Sequence, residues 1–308
     1  MFWIRLFSGI ILLVIAIGSI WLGAPVLTAV LLVVSLIGYR ELTKALGVPA
    51  GQKNVVKADS PSSKTSFFLA APKITAIEIT GMAGTVLYYG IIQHFMKTGQ
   101  DSGLWDASEG IVWLLACIVL VFLVQLSVYV FAFPKYQAEQ VMAGFFSFVY
   151  APVMLAFIEL TRMTGVGIII VWLILISSWG CDTCAYAVGK LIGRKKIFPV
   201  LSPKKSLEGC IGGVLGAALL GFLYGKLLVG MFPITVDTFA WQGAAICALG
   251  AVVSMVGDLA ASAIKRNKGI KDYGKLIPGH GGIMDRFDSV LFTAPIIYYL
   301  AILLIRFE

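Results

Sequence analysis

Nine runs of roughly 20 mainly apolar residues, joined by short polar connections, decide what this chain can fold into. They lie near 5–22, 24–40, 76–97, 109–133, 139–160, 165–190, 209–231, 240–264 and 287–306. Each is long enough to cross the hydrocarbon as a helix, the one single-segment structure that satisfies its own backbone polar groups there. Composition agrees: 59% of the residues are hydrophobic and only 13% are charged, against about 25% charged in soluble domains. The expected fold is all-α, a polytopic integral membrane protein of about nine transmembrane helices. Gly23-Ala24-Pro25, between the first two runs, reads as a tight hairpin rather than the cleavage site of a signal peptide.

Charge sets the expected orientation. With the N-terminus inside and the spans alternating, twenty of the 24 Lys and Arg fall in inside segments. Only Lys97, Arg162 and Arg306 fall outside, and Lys226 lies within the seventh span. That asymmetry is the positive-inside pattern, so the N-terminus is expected in the cytoplasm. The net charge of +8 then reflects cytoplasmic loops facing anionic lipid. No segment forms a soluble basic domain, which excludes nucleic acid as the expected partner. Three regions are expected: 1–75, a helical hairpin plus a flexible cytoplasmic loop; 76–164, a middle transmembrane region; and 165–308, a transmembrane region carrying the chemistry. Cys117, Cys181, Cys184, Cys210 and Cys247 all lie in or beside apolar segments and are expected as free thiols. Glycines four apart, Gly209/Gly213, Gly212/Gly216 and Gly221/Gly225, predict close packing of the seventh span on a neighbour. Glu78, in the third span, reads as close enough to the inner end to reach water, and His94 as a partner in interhelical hydrogen bonding.

Against this apolar background the acids stand out. Asp182 sits near the inner end of the sixth span, Asp258 within the eighth, and Asp285 and Asp288 at the start of the ninth. Asp285 and Asp288 share a helix face, being three residues apart. Asp258 lies seven residues before Lys265, roughly 10 Å below the loop at 1.5 Å per residue. A carboxylate at that depth needs a cation, a salt bridge with Arg286 or Lys265, or water. Several acids converging there suit a divalent metal. Bases flank them. Lys204 and Lys205, with Ser202 nearby, precede the seventh span, where backbone donors at a helix start would suit a phosphate. Lys265, Arg266 and Lys271 follow the eighth. Arg194, Lys195 and Lys196 read instead as headgroup contacts. Gly279, Gly281 and Gly282 around His280 would let backbone N–H groups approach a ligand. Acids for a metal, bases and a glycine loop are the components of phosphoryl or nucleotidyl transfer. There is no Walker A pattern. A transporter coupling an ion through Asp258 is an alternative from another class; the absence of an internal repeat speaks against it.

The stretch "SAIKRNKGIKDYGKLIPGHGGIMDRFD", Ser262 to Asp288, resembles the signature of phosphatidate cytidylyltransferases, also called CDP-diacylglycerol synthases. "DTCAYAVGKLIGRKK" and "LSPKKSLEG" resemble that family's two preceding motifs, so the resemblance covers about 177–290. It departs at Cys184, where the family commonly has Gly, and at Ser206, where Thr is frequent. The resemblance implies a multi-pass enzyme of the cytoplasmic (inner) membrane, working on the cytoplasmic side. It would convert CTP and phosphatidate to CDP-diacylglycerol and pyrophosphate, with Mg²⁺, a second site that also uses K⁺, and a homodimeric state. Carried onto this chain, Asp258 and Asp285 would hold metal, with Asp182, Asp288 and Arg286 completing the catalytic set. Ser202, Lys204, Lys205, Lys265, Arg266, Lys271, His280, Gly281 and Gly282 would bind substrate, the bases being undivided between CTP and the lipid phosphate.

Overall fold

The computed structural model describes residues 2–49, 74–102, 107–199, 201–228, 236–277, 279 and 281–305. Most of the flexible loop expected at the end of the 1–75 region, and His280, lie outside the described residues. Among these residues the apolar runs form nine helices. They are α1 (Phe2–Trp21), α2 (Ala24–Leu46), α3 (Ala76–Ser102), α4 (Ala107–Phe131), α5 (Ala138–Arg162), α6 (Gly167–Ile192), α7 (Leu207–Leu228), α8 (Val236–Asn267) and α9 (Met284–Leu304). Seven of them, α2 and α4 to α9, are long and apolar enough to cross a membrane. The chain is therefore an all-α polytopic membrane protein. The two expected spans outside that set are the first, whose apolar part here is Ser8–Trp21, and the third, which carries Glu78, Gln93, His94 and Asp101.

α5 and α6 are interrupted by π-helical turns at Val149–Val153 and Ile176–Gly180. The first contains Pro152, which has no N–H to give an α-helical ladder. The second ends two residues before Asp182. A π turn inserts one residue into the winding and so resets which face the following residues present.

The chain divides into two compact units. One comprises Ser35–Pro152. Its interior is held by buried Val48, Ile77, Tyr136 and Val141 and by close helix contacts at glycine. A Cβ at Gly144 would stand 2.5 Å from the Ile77 side chain, and one at Gly84 2.3 Å from Val121. Glu78 does not reach water: it is 1% exposed. It closes a capping box at the start of α3, where its Oε2 accepts from Thr75 N at 3.0 Å and Thr75 Oγ1 at 3.1 Å. Its Oε1 accepts from Thr43 Oγ1 of α2 at 3.1 Å. Local hydrogen bonding supplies what depth in the membrane removes. His94 is exposed and meets the ring of Phe95 edge-on.

The other unit comprises Met1–Val34 and Val153–Glu308. In it α7 lies between α6 and α8, as the glycine spacing predicts. Cβ atoms at Gly212 and Gly216 would come within 2.5 Å of Val188 and Cys184 on α6. Cβ atoms at Gly221 and Gly225 would come within 2.5 and 2.7 Å of Gly243 and Ala240 on α8. Cys184 therefore fills the space that Gly216 leaves open. The five cysteines are free thiols. Between α6 and α7 the chain forms a two-stranded antiparallel ribbon, β1 (Lys196–Phe198) and β2 (Ser202–Ser206), pairing Lys196 with Ser206 and Phe198 with Ser202.

Candidate functional site

The second unit gathers the acids. α8 and α9 approach closely because Gly257 has no side chain: a Cβ there would stand 2.8 Å from the Asp288 carbonyl and 3.0 Å from Phe292. That contact brings Asp258, the next residue on α8, beside Asp288 on α9. Asp182 comes from α6 beyond its π turn. All three line one cavity of about 550 Å³ together with Lys265, Asp285 and Arg286. Asp272 and Trp179 also line it, and Gly9, Leu12 and Leu13, at helical i, i+3, i+4 spacing on α1, form an apolar side.

Asp285 is the most firmly held of the acids, its side chain only 3% exposed. Its Oδ1 accepts from Lys265 Nζ at 2.9 Å. Its Oδ2 accepts from the backbone N–H of Tyr273 at 2.8 Å and of Gly282 at 3.0 Å. Tyr273 in turn lies under the Lys265 ammonium, 5.4 Å from ring centre to Nζ, and donates its hydroxyl to the Ala261 carbonyl at 3.0 Å. Gly281 has φ +90, a left-handed conformation, and its carbonyl accepts from Ile277 N at 2.8 Å. The loop after α8 is thus pinned to the start of α9 through one carboxylate. The glycine loop was expected to offer its donors to a ligand. Instead the Gly282 N–H serves the protein's own Asp285, because a buried carboxylate is costly without donors.

The second carboxylate with a direct cation is Asp258, whose Oδ2 lies 2.5 Å from Lys205 Nζ, with side chains 29% and 20% exposed. Lys205 sits on β2 rather than on a helix start, as do Lys204 and Ser202. The first donors of α7 are taken: Leu207 N gives to the Lys195 carbonyl at 2.8 Å and Gly209 N to Ser206 Oγ at 3.2 Å. The ribbon, not the helix terminus, presents the lysines. Glu208 clamps its base by accepting from Arg194 N at 2.9 Å and Lys195 N at 3.3 Å. Ser206 is 3% exposed and its Oγ is surrounded by Gly189, Gly193 and Gly209.

A further cavity of about 500 Å³ lies against the ribbon. Ser202, Lys204 and Lys205 line it, joined by Lys190 and Lys196, which the sequence marks only as topological or headgroup charges. Asp182 lines both cavities. Arg266 and Lys271 are exposed and line neither cavity as described. Arg286 lines the acidic cavity, and its Nε is buried without a hydrogen-bond partner among the described residues. Tyr273 and Asp272 are the residues to which the sequence alone assigns no role. Tyr273 and Asp272 lie inside the dense polar stretch, and that density is the signal that marks them.

Hard carboxylate oxygens lining a polar cavity match the donor preference of Mg²⁺. Among the described residues no three His, Cys, Asp or Glu side chains form a ready ligating cluster. Among the described residues Asp258 and Asp285 are the acids paired with an ammonium group, so a bound cation would take over a role that Lys205 and Lys265 fill.

Comparison with known proteins extends over nearly the whole chain. A family model described as the cytidylyltransferase family matches residues 3–304. A protein of Thermotoga maritima named phosphatidate cytidylyltransferase is 44% identical over 126 residues, 41% of this chain and 46% of the relative. One of the same name from Bacillus subtilis is 38% identical over 144 residues, 47% of this chain and 51% of the relative. Against these two the chain spans about half the relative's length. A third of that name, from Staphylococcus saprophyticus, is 30% identical over 226 residues, 73% of this chain and 82% of the relative.

Proposed function

The chain belongs to the cytidylyltransferase family, and on that basis we propose that it is a phosphatidate cytidylyltransferase, joining CTP and phosphatidate to give CDP-diacylglycerol and pyrophosphate. The observation that carries the reading is the convergence of Asp182, Asp258, Asp285, Arg286 and Asp288 on one cavity, beside a second cavity of lysines. An oxygen of the lipid phosphate attacks the α-phosphorus of CTP, and the bond to pyrophosphate breaks. A lipid phosphate is already ionised, so no strong general base is needed. The residues contribute positioning and charge stabilisation. Arg286, which lines the acidic cavity, and Lys205 and Lys265, beside the acids, offset the negative charge that builds on the phosphates. Asp285 keeps the loop of Gly281 and Gly282 against the cavity.

Asp258 and Asp285 would hold Mg²⁺. The ion would supply Lewis-acid polarisation of phosphate oxygens. We read the site as facing the cytoplasm, where CTP is available, because the bases of the ribbon and of the loop after α8 fall on the inside by the positive-inside pattern. The deciding experiment supplies purified protein with CTP and phosphatidate in mixed micelles. CDP-diacylglycerol and pyrophosphate should form in equal amounts, and EDTA should stop the reaction. No CDP-lipid from well-folded protein would refute the assignment.

A further inference from the structure

The two cavities differ in charge and in apolar surroundings, and that difference bears on which substrate each would take, an argument that rests on the phosphatidate reading above. The cavity against the ribbon is lined by Lys190, Lys196, Lys204 and Lys205, with Asp182 as the one acid among its described lining residues. Much of the rest of its wall is apolar or small, with Ala185, Tyr186 and Met255. Tyr186 at its rim is 71% exposed. On the same two helices Leu191 is 82%, Ile211 53% and Leu215 64% exposed, surfaces that in a membrane meet acyl chains. Among its described lining residues the neighbouring cavity holds five acids, Asp182, Asp258, Asp272, Asp285 and Asp288, against two bases, Lys265 and Arg286.

A lipid phosphomonoester is a dianion with an apolar tail. In the acidic cavity, without a compensating cation, it meets charge of its own sign. Against the ribbon it meets ammonium groups and an apolar exit. A nucleoside triphosphate gains nothing from that exit, whereas the acidic cavity suits a phosphate chain that arrives with its cation. We propose that Lys190, Lys196 and Lys204 bind the phosphate headgroup of phosphatidate, with its acyl chains leaving past Tyr186 along the exposed faces of α6 and α7, and that the nucleotide phosphates occupy the acidic cavity. The substrates then meet at a shared wall. Asp182 lines both cavities, and Lys205 lines one while pairing at 2.5 Å with Asp258 of the other.

The test separates binding from turnover. Full-length protein in mild detergent with EDTA is titrated calorimetrically with dioctanoyl phosphatidate. The triple variant Lys190→Gln/Lys196→Gln/Lys204→Gln should bind at least about tenfold more weakly, the loss of several charge-assisted hydrogen bonds. The matching Lys→Arg triple, which keeps the charge and guards against misfolding as the cause, should stay within about threefold of the parent. Glycerol 3-phosphate should bind the parent much more weakly than the lipid. In turnover the Gln triple should raise KM for phosphatidate and leave KM for CTP within about twofold. Unchanged lipid binding by the Gln triple, a rise in KM for CTP instead, or equal binding of glycerol 3-phosphate overturns the assignment. A parent that binds lipid in EDTA but makes no CDP-lipid overturns the enzymatic reading instead, since the titration needs no turnover.

Discussion

Asp285 is a carboxylate with both oxygens engaged, and that predicts what its loss does. Asp285→Asn removes the charge facing Lys265 and weakens the tie to the backbone of Tyr273 and Gly282. Breaking a buried pair of this kind costs about 3 kcal/mol, so its thermal unfolding in detergent should shift down measurably. CDP-lipid formation should fall by about a hundredfold or more, beyond what the remaining folded fraction explains. Turnover near that of the parent would remove Asp285 from the catalytic set. Tyr273 separates two of its own roles. Tyr273→Phe keeps the ring under Lys265 and loses only the hydroxyl bond to Ala261, worth about 1 kcal/mol. Tyr273→Leu loses the ring as well, so kcat should fall clearly further than for Tyr273→Phe as Lys265 loses its seat. Equal kcat in the two variants would show that the ring does not position Lys265.

At the scale of elements, α7 is held by small residues rather than by interlocking large ones. Gly216→Ala would press a Cβ to 2.5 Å from Cys184 Sγ, whereas Gly90→Ala on α3 meets nothing within 4 Å. The first should destabilise by about 1–3 kcal/mol and the second should not, read as unfolding midpoints in detergent. The ribbon depends on Glu208, whose carboxylate gathers the backbone N–H groups of Arg194 and Lys195. Glu208→Ala should leave the helices intact and raise KM for the lipid several-fold, because the ribbon carrying Lys204 loses its clamp. An unchanged KM would mean that the ribbon holds its shape without it. The ribbon was not expected from sequence. Strands of three and five residues with lysines and a proline show too little alternation to register, and the pairing of Lys196 with Ser206 is settled only when α6 and α7 fix its two ends.

At the scale of the molecule, orientation is the property that charge predicts and a fold alone does not. Lys271→Cys in an otherwise cysteine-free chain should react with a membrane-impermeant maleimide in inside-out vesicles and be protected in right-side-out ones. The reverse would put the site on the other face. The apolar runs and their glycine spacings determined by themselves that this chain is a bundle of membrane helices, and that α7 lies close to its neighbours. They did so because an unpaired backbone in hydrocarbon is prohibitive and because only a missing side chain permits so close an approach. The stretch from Ser262 to Asp288, with the two motifs before it, marked the reaction class and most of the polar residues. What only the tertiary structure decided is how those residues are used. Asp258 stands beside Asp288 because Gly257 lets two helices touch. The Gly282 N–H and the first donors of α7 serve the protein itself rather than a ligand. Lys190 and Lys196 join Lys204 and Lys205 around one cavity. Asp258 and Asp288 meet from distant segments, whereas Gly282 with Asp285 and Gly209 with Ser206 close local turns; in both cases a sequence records the kinds of residue present but not which partner will satisfy a buried charge or donor.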